Sequence, residues 1–234
     1  MNEILEDIKL QDCACCKVKF KGFELLSTEQ LQSFKDSHCR IEYGKGETIV
    51  KQGTPVTNLI CLKSGFAKAH IEGIDGKSIV LKVLKEGDFL ISPGIFNDNL
   101  NHCTVTALTN CSACLISLEA FEKTFDNNPE FAHNVLKQDH QLIDYLHQKL
   151  IKLSFKKMNG RVADTFIYLA EEIYKSSEFY TTLSRQDLAD IAGVSKESLI
   201  RIVKDFKDSG IIDIKGNKIT ILSLSQLTNI SKLG

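Results

Sequence analysis

The sequence predicts an α+β chain in three parts: an N-terminal antiparallel β-roll, one long helix, and a small helical segment closed by a β-hairpin. Three features point to this. Between residues 40 and 118, short β-branched runs are punctuated by glycine; from Pro129 to about Phe155 an apolar residue returns every seven; after residue 183 two capped amphipathic stretches precede two alternating runs. A period of two between glycine corners is a strand signal, and a period near three and a half is a helix signal.

The roll is built from Glu47–Val50, Asn58–Leu62, Ala67–Ile71, Ser78–Val83, Thr104–Leu108 and Ala113–Ile116. Asp75-Gly76 lies between two alternating runs and reads as a hairpin, because glycine supplies the positive φ that a tight turn demands. Gly46, Gly53, Gly65 and Gly87 mark further corners.

The stretch opened by Pro129 carries Leu136, Ile143 and Leu150 at intervals of seven, with Leu146 and Leu153 offset by three. At 1.5 Å per residue it makes a helix of roughly 40 Å, long enough to pair with a copy of itself. A single buried core helix would have the same periodicity. Asp139 occupies the offset seam position before Leu146, so a parallel homodimer would oppose two carboxylates and sit near its association threshold. Replacing Asp139 by alanine is then expected to strengthen dimerisation.

Lys156–Gly160 reads as a break before a second amphipathic helix, Val162 to about Tyr174. The predicted domains are therefore 1–128, 129–156 and 157–234. In the last, Ser184 with Asp187 forms a helix-capping signature, Leu188 and Ile191 an inner face, and Gly193 a short turn. Ser195 caps the next helix, whose Leu199, Ile202, Val203 and Phe206 point inward. Lys196, Glu197 and Arg201 are left outside, with Ser198, in the half that enters a major groove. Arg201 matches guanine O6 and N7, and Glu197 matches cytosine N4; an exposed i, i+4 ion pair is the plainer alternative for the two. Two alternating runs about Lys215-Gly-Asn-Lys218 complete a winged helix-turn-helix, with Lys215 and Lys218 available to phosphates.

Composition bounds the remaining possibilities. In 234 residues, 29 basic against 30 acidic side chains give a net charge of −1, with 25% charged and 43% hydrophobic residues. This excludes collagen-like, disordered and supercharged classes. The start has no basic region followed by an apolar one, and no stretch approaches the roughly 18 apolar residues of a membrane span; a soluble, cytoplasmic protein without a membrane partner is expected. Walker A, Gly-x-Gly-x-x-Gly, Gly-x-Ser-x-Gly and His-Glu-x-x-His motifs are absent, so no enzyme is expected. Eight cysteines suit metal, redox or core roles rather than a disulfide framework in a reducing compartment. Three fall together, Cys13, Cys15 and Cys16, whereas arginine is confined to Arg40, Arg161, Arg185 and Arg201.

Roll, long helix and winged helix-turn-helix, in this order, resemble the Crp/Fnr family of transcription regulators over nearly the whole chain. The markers are Lys45-Gly-Glu-Thr-Ile-Val-Lys-Gln-Gly53, Leu62-Lys-Ser-Gly65, Gly76, Glu86-Gly-Asp-Phe89, Gly160-Arg-Val-Ala163 and Val194-Ser-Lys-Glu-Ser-Leu-Ile-Arg201. The resemblance implies a jelly-roll of the cyclic-nucleotide-binding type and a homodimer on a near-palindromic operator. It also implies half-site reading by Lys196, Glu197 and Arg201, and RNA polymerase as a further partner. Ile200 stands where the oxygen-responsive branch often has serine.

The signal follows from the roll. Cyclic-nucleotide members carry Gly-Glu after Gly-Asp-Phe and then an Arg-Ser or Arg-Thr pair, because a buried phosphate needs a bidentate cation. Here Leu90–Gly94 and Asn101–Thr104 occupy those places, and no arginine lies between Arg40 and Arg161, so a cyclic nucleotide is not expected. The cysteines resemble those of Fnr-like sensors, which implies a four-iron, four-sulfur cluster on Cys13, Cys15, Cys16 and Cys114. The family spaces its trio as C-x2-C-x5-C, and here it is compressed. Thiol–disulfide chemistry at the trio, haem on His70 or His102, another organic effector, and a stand-alone metal or redox carrier without DNA binding are the alternatives. Cys61 and Cys111 read equally as small core residues, Cys39 and Cys103 need no role, and simple packing in a strand is the plainer alternative for Cys114.

Overall fold

The structure, a computed structural model, describes residues 20–74 and 77–234. Contacts divide it into two compact units: the chain up to Ala67 with Leu84–Gln141, and Lys68–Val83 with Leu142–Gly234. Cys13, Cys15, Cys16 and the Asp75-Gly76 turn lie outside the described residues.

Helix α1 (Thr28–Ser37) opens on a reciprocal cap between Ser27 and Gln30, which satisfies two N–H groups that a helix start leaves unpaired. Eight strands follow: β1 (His38–Tyr43), β2 (Thr48–Val50), β3 (Asn58–Ser64), β4 (Ala67–Glu72), β5 (Ser78–Leu84), β6 (Phe89–Leu90), β7 (Thr104–Ala107) and β8 (Cys111–Ser117). They pair in the orders β1-β8-β3-β6 and β2-β7-β4-β5. All six expected runs are strands; β1 and β6 are additional. Gly65 takes a φ of +83°, and a Cβ there would lie 2.5 Å from the Asn110 carbonyl oxygen, so this corner admits only glycine.

The first unit's core joins Leu59, Cys61, Cys114 and Ile116 of the sheet to Phe20, Leu26 and Phe34 before it. It also takes in Phe121 of α2 (Leu118–Asn127) and Phe131 and Val135 of α3 (Pro129–Phe155). Helix α3 runs Pro129–Phe155, the span its periodicity predicts.

The break after it is shorter than expected. Helix α4 begins at Met158 and ends at Tyr168, continuing as one wider π turn through Ile173. Gly160 is therefore helical rather than part of a break. A Cβ on it would lie 2.9 Å from Gly234 Cα, so it serves the close approach of α4 to the terminal helix. Helices α5 (Arg185–Ala192), α6 (Lys196–Asp208) and α7 (Leu224–Leu233) follow. The predicted hairpin is β10 (Ile212–Lys215) with β11 (Lys218–Ile221), and β9 (Glu178–Tyr180) adds a third strand beside β11. Among the described residues no helix is long and apolar enough to cross a membrane.

Candidate nucleic-acid interface and sensor face

The helix-turn-helix is assembled from local rules. Ser184 and Asp187 exchange cap bonds: the Ser184 N–H and hydroxyl donate to Asp187 Oδ2 at 2.8 and 2.7 Å, and the Asp187 N–H donates to Ser184 Oγ at 3.1 Å. Helix α5 ends at Gly193, whose φ of +62° reverses the chain. Ser195 Oγ accepts the Ser198 N–H at 3.1 Å and starts α6. Leu199, Ile202, Val203 and Phe206 are buried, while Lys196, Glu197, Ile200 and Arg201 are exposed on the outer face. Glu197 bonds its own backbone N–H and Ser195, which hold its carboxyl below the usual range. It makes no ion pair with Arg201 among the described residues, leaving the guanidinium to a partner outside this helix.

The wing lysines are less free than their sequence suggests. Lys218 Nζ lies 2.6 Å from Glu178 and 6.0 Å from the Tyr180 ring centre. Lys215 Nζ lies 3.3 Å from Asp213, yet its side chain is 80% exposed and can turn outward. Strand β9 supplies Glu178 and Tyr180, which is why the hairpin alone did not announce these contacts.

On α3, Leu136, Asp139, Ile143 and Leu150 are exposed along one side and Leu146 is half-buried. Among the described residues the apolar stripe is thus left without an intrachain partner over most of its length. Leu153 differs. It packs within its own chain, where a Cβ on Gly193 would come 2.4 Å from its Cδ2, so the seam's last residue supports the turn instead.

On the sensor side, Cys114 sits in mid-β8 with Arg40 of β1 and Cys61 of β3 as its register partners. It is 8% exposed and shares the apolar cluster with Phe20, four residues beyond Cys16. Cys61 and Cys111 are buried core thiols, Cys39 is exposed, and Cys103 is half-buried, where desolvation raises its pKa. No group of three or more potential metal ligands occurs among the described residues. In the loop where a phosphate-binding arginine would stand, His102 Nε2 instead lies 2.9 Å from Asp98. That bond is the main cause holding the exposed Asp98 carboxyl below its ordinary range. Arg40 is engaged by Glu42 and Ser112 at 2.8 and 2.9 Å.

The cyclic nucleotide-binding domain family matches residues 40–128, and the Crp-like helix-turn-helix domain family matches residues 160–230. The chain is a DNA-binding regulator of the Crp/Fnr family. It is 27% identical over 190 residues to the cAMP-activated global transcriptional regulator CRP of Salmonella typhimurium, covering 79% of this chain and 90% of that one. It is 24% identical over 193 residues, with the same shares, to the cAMP-activated regulator Vfr of Pseudomonas aeruginosa. In fold it is similar to a regulator assigned to the Crp/Fnr family from Eubacterium rectale (TM-score 0.76, 20% identity, 91% and 98% of the two chains). It is likewise similar to FixK2 of Bradyrhizobium japonicum (TM-score 0.75, 18% identity, 82% and 96%).

This Crp/Fnr regulator also contains a polar contact that sequence reasoning missed. Within the second unit, Lys68 of β4 forms an ion pair with Asp187 of α5, both side chains largely buried at 16% and 12% exposure. Ser78 Oγ of β5 donates to Asp190 at 2.6 Å, and Gln186 donates to the same carboxylate at 2.8 Å. The Val83 N–H donates to Tyr168 OH at 3.2 Å. The roll's β4–β5 hairpin is thereby fastened to the first helix of the helix-turn-helix. Partners 85 to 119 positions apart leave no local signal; only the capping role of Asp187 is read from the sequence.

Proposed function

We propose that this chain is a cytoplasmic, homodimeric Crp/Fnr-type transcription regulator that responds to oxygen or redox state. It reads a near-palindromic operator with Lys196, Glu197 and Arg201, and Ser195, Ser198, Lys215 and Lys218 contact the backbone. Dimerisation runs through Leu136, Asp139, Ile143, Leu146 and Leu150, with Leu153 at the margin, and RNA polymerase is the downstream partner. Family members bind DNA and act as dimers; the exposed stripe of α3 supports the same here.

The DNA-reading half rests on Arg201, exposed on the outer helix face with no ion pair to Glu197 among the described residues. Ile200, 50% exposed between the readers, adds an apolar contact suited to a thymine methyl. Arg201→Ala is expected to lose about 1–3 kcal/mol of discrimination at one base pair, measured by binding to operator variants at fixed salt. A loss equal on all sequences would reject the reader role. A stand-alone redox carrier would show no steep fall of affinity with salt.

The sensing half rests on Phe20 and Cys114 sharing one buried cluster. The trio ends four residues before Phe20, and four extended residues reach roughly 13 Å, so the chain is long enough to bring Cys16 to the cluster that Cys114 lines. A four-iron, four-sulfur cluster held by Cys13, Cys15, Cys16 and Cys114 would supply oxygen-sensitive redox chemistry. The chain supplies the coupling. Phe20 meets Phe23 at 5.3 Å, Phe23 meets Phe34 at 5.5 Å, and Phe34 meets Phe131 at 6.2 Å between ring centres. Gln138 Nε2 also donates to the Lys21 carbonyl at 3.3 Å. These contacts join Phe20 and Lys21 to the N-terminal half of α3 and support coupling between the trio and that helix. The lack of any arginine between Arg40 and Arg161, with Arg40 engaged by Glu42 and Ser112, supports an effector other than a cyclic nucleotide.

Iron and acid-labile sulfide in anaerobically purified full-length protein test this reading. Near-stoichiometric cluster is expected, lost in both Cys114→Ala and Cys16→Ala. Absence of iron from properly anaerobic protein would overturn the cluster and leave thiol chemistry at the trio.

A further inference from the structure

Within the second unit, the C-terminal half of α3, helix α4 and the end of α5 line a half-open cavity of about 80 Å³. A buried water needs only about 10–15 Å³, so the space admits a group of several heavy atoms. Its lining is rich in cations: Lys149 and Lys152 from α3 and Arg161 from α4, with Tyr145 and Tyr168 as aromatic walls. The lining carboxylate is already taken. Asp164 accepts Lys156 Nζ at 2.8 Å and the Ser231 hydroxyl at 2.6 Å.

Among the described residues, Lys149 and Arg161 are held by neutral acceptors and not by counter-charges. Lys149 Nζ donates to the Ile191 carbonyl at 3.4 Å, and Arg161 donates from one terminal nitrogen to the Leu153 carbonyl at 3.0 Å. Among the described residues the buried Arg161 Nε has no hydrogen-bond partner, a costly state for a charged donor. Burial, and then the neighbouring Lys152, push Lys149 down to about 8. Three positive groups and an orphaned donor around a hollow are what an anion would stabilise.

We propose that this cavity binds a small oxyanion, a carboxylate or a phosphate, and that the bound anion steadies the helix-turn-helix. The occupant would bridge α3 and α4 beside Ile191, in the last turn of α5. Leu153, whose carbonyl Arg161 holds, packs on the Gly193 turn that follows. The consequence for operator affinity rests on the DNA-binding function proposed above; the site itself does not.

Isothermal titration of the full-length protein with inorganic phosphate and, separately, with benzoate tests the proposal without DNA present. Saturable binding of at least one probe is expected. It should weaken about tenfold or more in Lys149→Gln and in Arg161→Gln, the loss of one charge-assisted hydrogen bond, while the exposed Lys123→Gln binds as wild type. Should Arg161→Gln fail to fold, Lys152→Gln at the exposed rim serves, with a smaller weakening.

Binding near pH 8 should take up protons, seen as a dependence of the heat on the buffer's ionisation enthalpy, because an anion favours the charged form of Lys149. Tyr145, Lys152, Arg161, Asp164 and Tyr168 are the other ionisable groups facing the cavity. Phosphate alone binding would assign a tetrahedral anion, and benzoate alone a carboxylate with an apolar body. Binding of neither probe, or equal binding in folded Lys149→Gln, would overturn the site. The binding probe should then tighten operator binding; an unchanged operator affinity in protein that binds both would overturn the steadying role. Failure to bind DNA at all would count against the regulator reading and not against the cavity.

Discussion

Asp187→Ala is expected to lower the unfolding free energy by about 3–5 kcal/mol, the range for breaking a buried ion pair by removing one partner. Two losses combine. Lys68 keeps a largely buried ammonium without its counter-charge, and the Ser184 N–H and hydroxyl lose their acceptor at the start of α5. Chemical denaturation of the full chain at neutral pH measures the effect. The double variant Lys68→Met, Asp187→Ala should recover part of it, since no charge is then left buried. Strict additivity of the two single effects would show that the pair is not coupled.

The same contact sets a pH response. Burial raises the Asp187 pKa, but the bonds from Lys68 and Ser184 together outweigh it and hold the carboxyl below its ordinary value. A carboxyl depressed in the folded state stabilises the protein fully above its unfolded pKa of about 3.9. That contribution is lost as pH falls through the lower folded value. Wild-type protein should therefore lose stability on acidification below about pH 4, and Asp187→Ala should lose less over the same window.

Gly193→Val should be comparably severe. The position has a φ of +62°, and an added Cβ would come 2.4 Å from Leu153 Cδ2. Left-handed backbone costs an L-residue about 1–2 kcal/mol, and overfilling a packed site about 1–3 kcal/mol more. A total of roughly 2–5 kcal/mol is expected in thermal or chemical unfolding, together with loss of operator binding, because the turn sets the angle between α5 and α6. Adding Leu153→Ala should relieve the collision and leave the backbone term, recovering part of the loss. Wild-type stability in Gly193→Val would mean that the turn is not formed as described.

Elements whose signals are local were legible in the chain. Helix α3 has the span its seven-residue apolar repeat predicts, and Ser184, Asp187, Gly193 and Ser195 occupy the cap and turn positions their residue types require. The six strand runs of the roll appear with their glycine corners, and Leu199, Ile202, Val203 and Phe206 bury the face their spacing predicts. Strands β1, β6 and β9 were not legible, since each is short or polar and becomes a strand only through a neighbour. Gly160 misled for the opposite reason. Glycine usually marks a break, but here a second backbone approaches so closely that no Cβ fits.

The sequence by itself therefore determined the order of roll, long helix and helix-turn-helix, the caps and turns that punctuate them, and the residues offered on the recognition face. Capping, turn geometry and amphipathic periodicity act over only a few residues. Tertiary structure alone decided that Lys68 and Ser78 meet Asp187 and Asp190, that Leu153 supports its own chain's turn, and that Glu178 holds Lys218. It also decided that Lys149, Lys152 and Arg161 surround one hollow, and that Cys114 and Phe20 enter one core. Each of these joins groups on separate elements, and which of them meet depends on how the apolar faces pack, a choice that no short window of residues contains.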